Sequence, residues 1–131
     1  MTVLLEENDA TGDVKLVYDD IRRTFGMVPN LFKAMAAVDP SWLEINWYRE
    51  KKIMIDEGTL DLKTRELIAF AVSAINRCDY CTLAHENIAR MRGATTGEIN
   101  HVRQIVELFA SFNAIANSYP ELAHDIRPDR T

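Results

Sequence analysis

The sequence predicts an all-α fold, a compact multi-helix bundle with a Cys-x-x-Cys pair at the N-terminus of one helix. Three observations carry that expectation. Apolar residues recur at three- and four-residue intervals along almost the whole chain. Strand-like alternation is nearly absent. Chain breakers fall between the periodic stretches, at Gly26, Asp39-Pro40, Gly58, Asn76-Arg77, Gly93 and Pro120.

Val14, Val17, Tyr18, Ile21 and Phe25 form the buried stripe of a first helix, which Gly26 stops. Pro29 suits the first turn of a second helix, where its missing N–H costs nothing, and that helix carries Leu31, Phe32 and Met35 to about Val38. A third helix, from about Ser41, brings Trp42, Ile45 and Trp47 towards Ile53 and ends by Gly58. Asp61 caps a fourth at about 61–76. The second half of this helix, Leu67 to Ile75, is apolar on nearly every side, which in so small a domain predicts burial between subunits. Beyond Asn76-Arg77, a fifth helix runs from about Cys78 to Met91. Thr95-x-x-Glu98 has the spacing of a capping box for a sixth, with a stripe of Val102, Ile105, Val106, Phe109 and Phe112. Pro120 interrupts it, and the tail from Arg127 is expected to fray.

The chain of 131 residues has the length of one domain, taken as 1–131, and can bury roughly 65–70% of its unfolded surface without disulfide staples or a structural metal. Hydrophobic residues at 47% and charged residues at 27% are those of an ordinary globular protein. A net charge of −5, with no extended basic patch, argues against nucleic-acid and anionic-membrane partners. The N-terminus lacks a basic start and a long apolar core, and the apolar run from Leu67 to Ile75 is about half a membrane span, so the expected location is the cytoplasm. Thiols there are kept reduced, so two cysteines three residues apart point to redox chemistry or metal binding.

Cys78, Cys81 and His85 fall along one helix edge, with His85 one turn beyond Cys81. The positive end of the helix favours a thiolate at its start, and Arg77 adds a neighbouring cation. A histidine one turn away can take and return a proton, and the second cysteine is placed to close a disulfide. Glu66 lies ten residues before Asn76 and His85 nine after it, so an antiparallel hairpin sets the two side by side, giving a buried carboxylate a partner and the imidazole an orienting group. The competing readings are plainer. Cys78, Cys81 and His85 make three zinc ligands with Glu66 or a water as the fourth, although closed zinc sites usually draw on two separated pairs. Glu66 makes an i, i−3 surface pair with Lys63, and Glu86 with Arg90 a solvated one. Tyr80 packs, His101 and His124 are ordinary helix or tail residues, and the five Met and two Trp are core.

Glu66, followed after twelve positions by Cys78-x-x-Cys81-x-x-x-His85, resembles the alkylhydroperoxidase D-like branch of the carboxymuconolactone decarboxylase superfamily. Leu62-Lys63-Thr64-Arg65-Glu66-Leu67-Ile68-Ala69 reads like that family's core. Gly26-Met27-Val28-Pro29-Asn30-Leu31-Phe32 is similar to the segment preceding the core in peroxidase-related members, and the likeness spans about residues 20–115. The resemblance implies an all-helical homo-oligomer, a trimer or hexamer, that reduces hydroperoxides or passes electrons to a partner peroxidase. It implies no resident cofactor, since the cysteine pair is the redox centre and an external dithiol resets it. Glu66 and His85 would relay a proton, partly through water, with Cys81 the thiol deprotonated and Cys78 its disulfide partner. The helix-start argument instead favours Cys78 as the more reactive thiol. The family's best-known members carry a histidine where this chain has Tyr80, and the decarboxylase branch lacks the cysteine pair. An oligomeric redox sensor without peroxide turnover is a further alternative.

Overall fold

The computed structural model describes residues 1–130. Thr131, the end of the tail expected to fray, lies outside the described residues, and the segment before it closes with a 3-10 turn at Pro128–Arg130. Among the described residues all regular structure is helical, and the chain divides into two compact units, one of residues Met1–Thr59 and one from Leu60 onward.

The first unit holds α1 (Gly12–Phe25), α2 (Asn30–Val38) and α3 (Pro40–Glu50), the last continuing into a π-helical turn at Lys51–Ile55. Gly26 ends α1 with φ 79°, a left-handed conformation that costs glycine nothing. Pro29 stands one position earlier than expected, as the residue before α2 rather than in its first turn. Asp39 caps α3 by accepting from the Ser41 N–H, and Pro40 takes the first helical position. Tyr18, Ile21, Val28 and Leu43 are fully buried, and Trp47 packs edge-on to Phe25 and Phe32 at centroid distances of 5.9 and 5.5 Å. The Tyr18 hydroxyl donates to the Leu5 carbonyl at 2.7 Å. Burial, with Glu6 and Glu7 close by, pushes that phenol up to about 12, so it remains a donor at any ordinary pH. The other tryptophan corrects the expectation of an all-core role: Trp42 is 45% exposed, and Met27 and Met91 are exposed as well. Trp42 follows Pro40 by two positions and faces away from the side of α3 that buries Leu43 and Trp47.

Asp20 ties this unit together, accepting from the Trp47 indole N–H at 2.8 Å and from Lys51 at 2.9 Å. Those bonds, Trp47's first, hold its carboxyl below the usual carboxylate range. A depressed folded-state value means the stabilisation is complete above the unfolded value of about 3.9 and is lost as pH falls through the folded one. Asp20→Ala, which leaves the indole N–H unpaired, is expected to cost about 1–3 kcal/mol at neutral pH. Thermal melts at pH 7 and pH 3 check both points: the gap between wild type and variant shrinks at pH 3, and an equal gap contradicts the assignment.

The second unit holds α4 (Leu62–Ile75), α5 (Asp79–Met91) and α6 (Thr96–Asn117). Asp61 caps α4 by accepting from the Thr64 N–H at 2.7 Å. The capping box forms as its spacing predicts, with the Glu98 N–H on Thr95 Oγ1 at 3.0 Å and the two side chains 3.3 Å apart. Phe70, Ala89, Ala94 and Ile99 make the core, with Leu67 and Val102 packed against it. Within one chain α4 is not buried all round: Ile68, Val72 and Ile75 remain about half exposed. The α6 stripe is buried only at its start. Ile99 is inaccessible, whereas Ile105, Phe109 and Phe112 are exposed.

Candidate active site on the α4–α5 hairpin

The hairpin turn is a Schellman motif. The Arg77 N–H bonds to the Ala74 carbonyl and the Cys78 N–H to the Ser73 carbonyl, each at 3.1 Å. Arg77 occupies the left-handed position, φ 58°, where glycine is usual. The bend makes Cys78 the last residue of one cap and the first of the next: its sulfur accepts the Cys81 N–H at 3.2 Å as the N-cap of α5. The Cys-x-x-Cys pair therefore stands at a helix N-terminus, with both residues partly exposed. The two sulfurs are joined as a disulfide, with Cα atoms 5.3 Å apart.

Below the turn, Glu66, Phe70 and Ser73 line the buried face of α4. Ala89 is fully buried on α5, and its small side chain leaves room for Phe70. One turn above Ala89, His85 Nδ1 lies 2.7 Å from Glu66 Oε2. With Glu66 ionised, Nδ1–H donates to the carboxylate and Nε2 is the basic nitrogen. Glu66 is only 1% exposed, and its second oxygen, Oε1, is buried with no hydrogen-bond partner in the protein. A buried carboxylate satisfied on one oxygen is costly to keep. The i, i−3 surface pair with Lys63 is not formed: Lys63 reaches Glu98 on α6 at 3.0 Å instead. Glu66 points the other way, into the hairpin.

The hairpin is braced from α6. Arg103 lies over the Phe70 ring, 5.4 Å from its centroid, and donates to Glu86 at 2.8 Å, holding that carboxyl below its usual range. The Glu86–Arg90 pair forms too, at 3.3 Å, so Glu86 serves two arginines. Arg103 stands 17 residues from Glu86, and no local spacing signals the contact. An open pocket of about 580 Å³ runs along this flank, lined by Ala74, Arg77, Asp79, Thr82, Leu83 and Glu86. Its walls thus include the residue that follows each cysteine. Tyr80, between the cysteines, is 46% exposed, and His101 and His124 are exposed and distant in sequence from the pair. A zinc site on Cys78, Cys81 and His85 requires both sulfurs as thiolates, and in this disulfide form no three metal-ligating side chains among the described residues stand together to hold an ion.

The carboxymuconolactone decarboxylase family matches residues 40–123, which takes in α3 to α6 and every residue of the hairpin site. The chain belongs to that family. Its structure superposes on the crystal structure of an alkylhydroperoxidase AhpD core from Rhodospirillum rubrum with a TM-score of 0.87 and 36% identity, covering 95% of this chain and 93% of that one. It is an AhpD-like member of the superfamily, and its all-helical fold is theirs. Among curated proteins it is 34% identical over 67 residues to an uncharacterised protein of the cox locus of Paracoccus denitrificans, an alignment covering 51% of this chain and 56% of that one. It is 33% identical over 86 residues to an alkyl hydroperoxide reductase of Mycobacterium tuberculosis, covering 66% of this chain and 24% of the relative. The chain therefore spans about half of the first relative and a quarter of the second. The family match begins later and ends later than the 20–115 suggested by motifs, while the structural likeness takes in almost the whole chain.

Proposed function

We propose that this AhpD-like chain is a thiol-dependent, alkylhydroperoxidase-like oxidoreductase that reduces hydroperoxides through Cys78 and Cys81. The observation that carries the reading is the buried Glu66–His85 pair, 2.7 Å apart on the same hairpin as the closed disulfide. The names of two similar proteins, an alkylhydroperoxidase core and an alkyl hydroperoxide reductase, support the reaction class.

In the reduced protein His85 Nε2 takes the proton of Cys81, one helical turn away, and Glu66 stabilises the imidazolium that results. The Cys81 thiolate attacks the outer peroxide oxygen. The O–O bond breaks, an S–O bond forms, and the alkoxide leaves as alcohol with the proton from His85. Cys81 is then a sulfenic acid. Cys78, whose sulfur sits at the N-cap and accepts the Cys81 N–H, attacks that sulfur as a thiolate. The S–S bond forms, the S–O bond breaks, and the proton that Cys78 gave up goes to the departing hydroxide, which leaves as water. The peroxide is reduced by two electrons and the cysteine pair oxidised by two. An external dithiol returns the disulfide to two thiols by exchange and is itself oxidised to a disulfide; a partner peroxidase would instead stand on the other side of the cycle, taking the electrons of the reduced pair. No cofactor enters, because both electrons pass through sulfur. With Tyr80 between the cysteines, Glu66 and His85 alone carry the relay. Like chains form a homo-oligomer, a trimer or hexamer, in the thiol-reducing cytoplasm, where neither nucleic acid nor membrane is a partner.

The test is steady-state loss of an organic hydroperoxide in the presence of a small-molecule dithiol. Loss that scales with protein and stops when the thiols are alkylated is the expected result. Dithiol-driven reduction and reoxidation of the disulfide with no peroxide loss turns the reading to a redox sensor.

A further inference from the structure

One side chain of α6 reaches both helices of the hairpin at the level of the Glu66–His85 pair. Arg103 covers Phe70, which stands one turn after Glu66 on the buried face of α4. Its Nη2 donates at 2.8 Å to Oε1 of Glu86, the residue that follows His85 on α5, and its Nη1 donates to Asn100 at 2.9 Å. The bond from Arg103 comes first among the causes that hold the Glu86 carboxyl below its usual range, so Glu86 carries a full negative charge at neutral pH.

Two carboxylates therefore stand near one imidazole. Glu66 touches the ring at 2.7 Å, and Glu86 is its chain neighbour, with a side chain only 17% exposed. On α4, Lys63 is taken by Glu98, and Arg65 donates through Nε to the Leu60 carbonyl. On α5, Asp79 lies nearly two turns before His85, and the two sulfurs carry no charge while joined. On α6, His101 and Glu107 are exposed. The charge of Glu86 is answered by Arg103 at 2.8 Å and, less closely, by Arg90 at 3.3 Å, which also donates to Thr96.

We propose that Arg103 is a positioning residue for the proton transfer: it pins and neutralises Glu86, so that Glu66 alone sets the charge His85 meets. Once uncovered, Glu86 adds a second negative charge beside the ring. The imidazole then holds its proton to higher pH, and less neutral base is ready for Cys81. The inference rests on the role that the proposed function gives His85, but its first readout needs no peroxide.

The test titrates the His85 ring by NMR in the disulfide form of the full chain and follows the rising limb of thiol oxidation in the reduced form. Arg103→Gln keeps a donor for Glu86 and loses the charge. It is expected to move both readouts to higher pH by about half a unit, the effect of one charge about 8 Å away in a partly exposed site. Glu86→Gln, which leaves two arginines unopposed, moves them to lower pH by a similar amount. The double variant Arg103→Gln/Glu86→Gln has the wild-type net charge and returns both to the wild-type pH. That return decides the matter, since a bracing role for Arg103 is not rescued by removing a carboxylate. Glu86→Gln leaves the Arg103–Phe70 contact in place and carries the test if Arg103→Gln does not fold. Single variants that titrate with the wild type overturn the inference, and so does a double variant that keeps the displacement of Arg103→Gln. A ring that follows the charges in a protein without peroxide turnover upholds the control of His85 and removes only the peroxide reaction.

Discussion

Cys81→Ser abolishes peroxide turnover, whereas Cys78→Ser still consumes one peroxide per chain and stops at a sulfenic acid on Cys81. The difference follows from the assigned order of attack. Only the sulfur served by His85 meets the peroxide, and only Cys78, at the N-cap of α5, can condense with the product. Trapping the sulfenic acid with a carbon nucleophile and locating the adduct by peptide mass spectrometry reads the outcome directly. An adduct on Cys78 in the Cys81→Ser variant reverses the roles of the two cysteines. Undiminished turnover by Cys81→Ser removes the mechanism altogether.

Glu66→Gln is expected to lower the rate of thiol oxidation by about 10²-fold or more, within the range of losing a proton-transfer partner. The amide oxygen can still accept from His85 Nδ1–H, so the ring keeps its place. What is lost is the negative charge 2.7 Å from the imidazole, and with it the stabilisation of the imidazolium. Glu66 acts through His85 and is a positioning residue, so the telling readout is the pH–rate profile. Without the carboxylate the imidazolium gives up its proton more readily, so the rising limb set by the base moves to lower pH in the variant while the plateau rate falls. A lower rate with an unmoved profile assigns Glu66 a packing role instead.

What the sequence disclosed was local. Asp61, Thr95 with Glu98, and Gly26 announce helix ends because each cap is made within four residues of the residue that announces it. The Glu66–His85 pairing was legible because a tight hairpin converts distance from the turn into register, and Asn76-Arg77 marks that turn. Non-local choices were not legible. Lys63 has Glu66 three residues away and takes Glu98 on another helix, because Glu66 faces inward and cannot reach the surface. Arg103 finds Glu86 and Phe70 only when α6 is laid across the hairpin. An apolar stripe also does not say whether its own chain covers it. Tyr18 and Phe109 look alike in periodicity, yet the first is wholly buried and the second half exposed. Periodicity reports which face is apolar, not what lies against it.

A single-turnover thiol count tests the central claim most directly. Fully reduced protein is mixed with a small excess of an organic hydroperoxide, and peroxide and free thiols are followed together. The account predicts two thiols lost per chain for each peroxide consumed, within seconds. Thiols that persist for many minutes while peroxide is unchanged contradict it, and make the Cys78–Cys81 pair a disulfide-exchange or sensing centre.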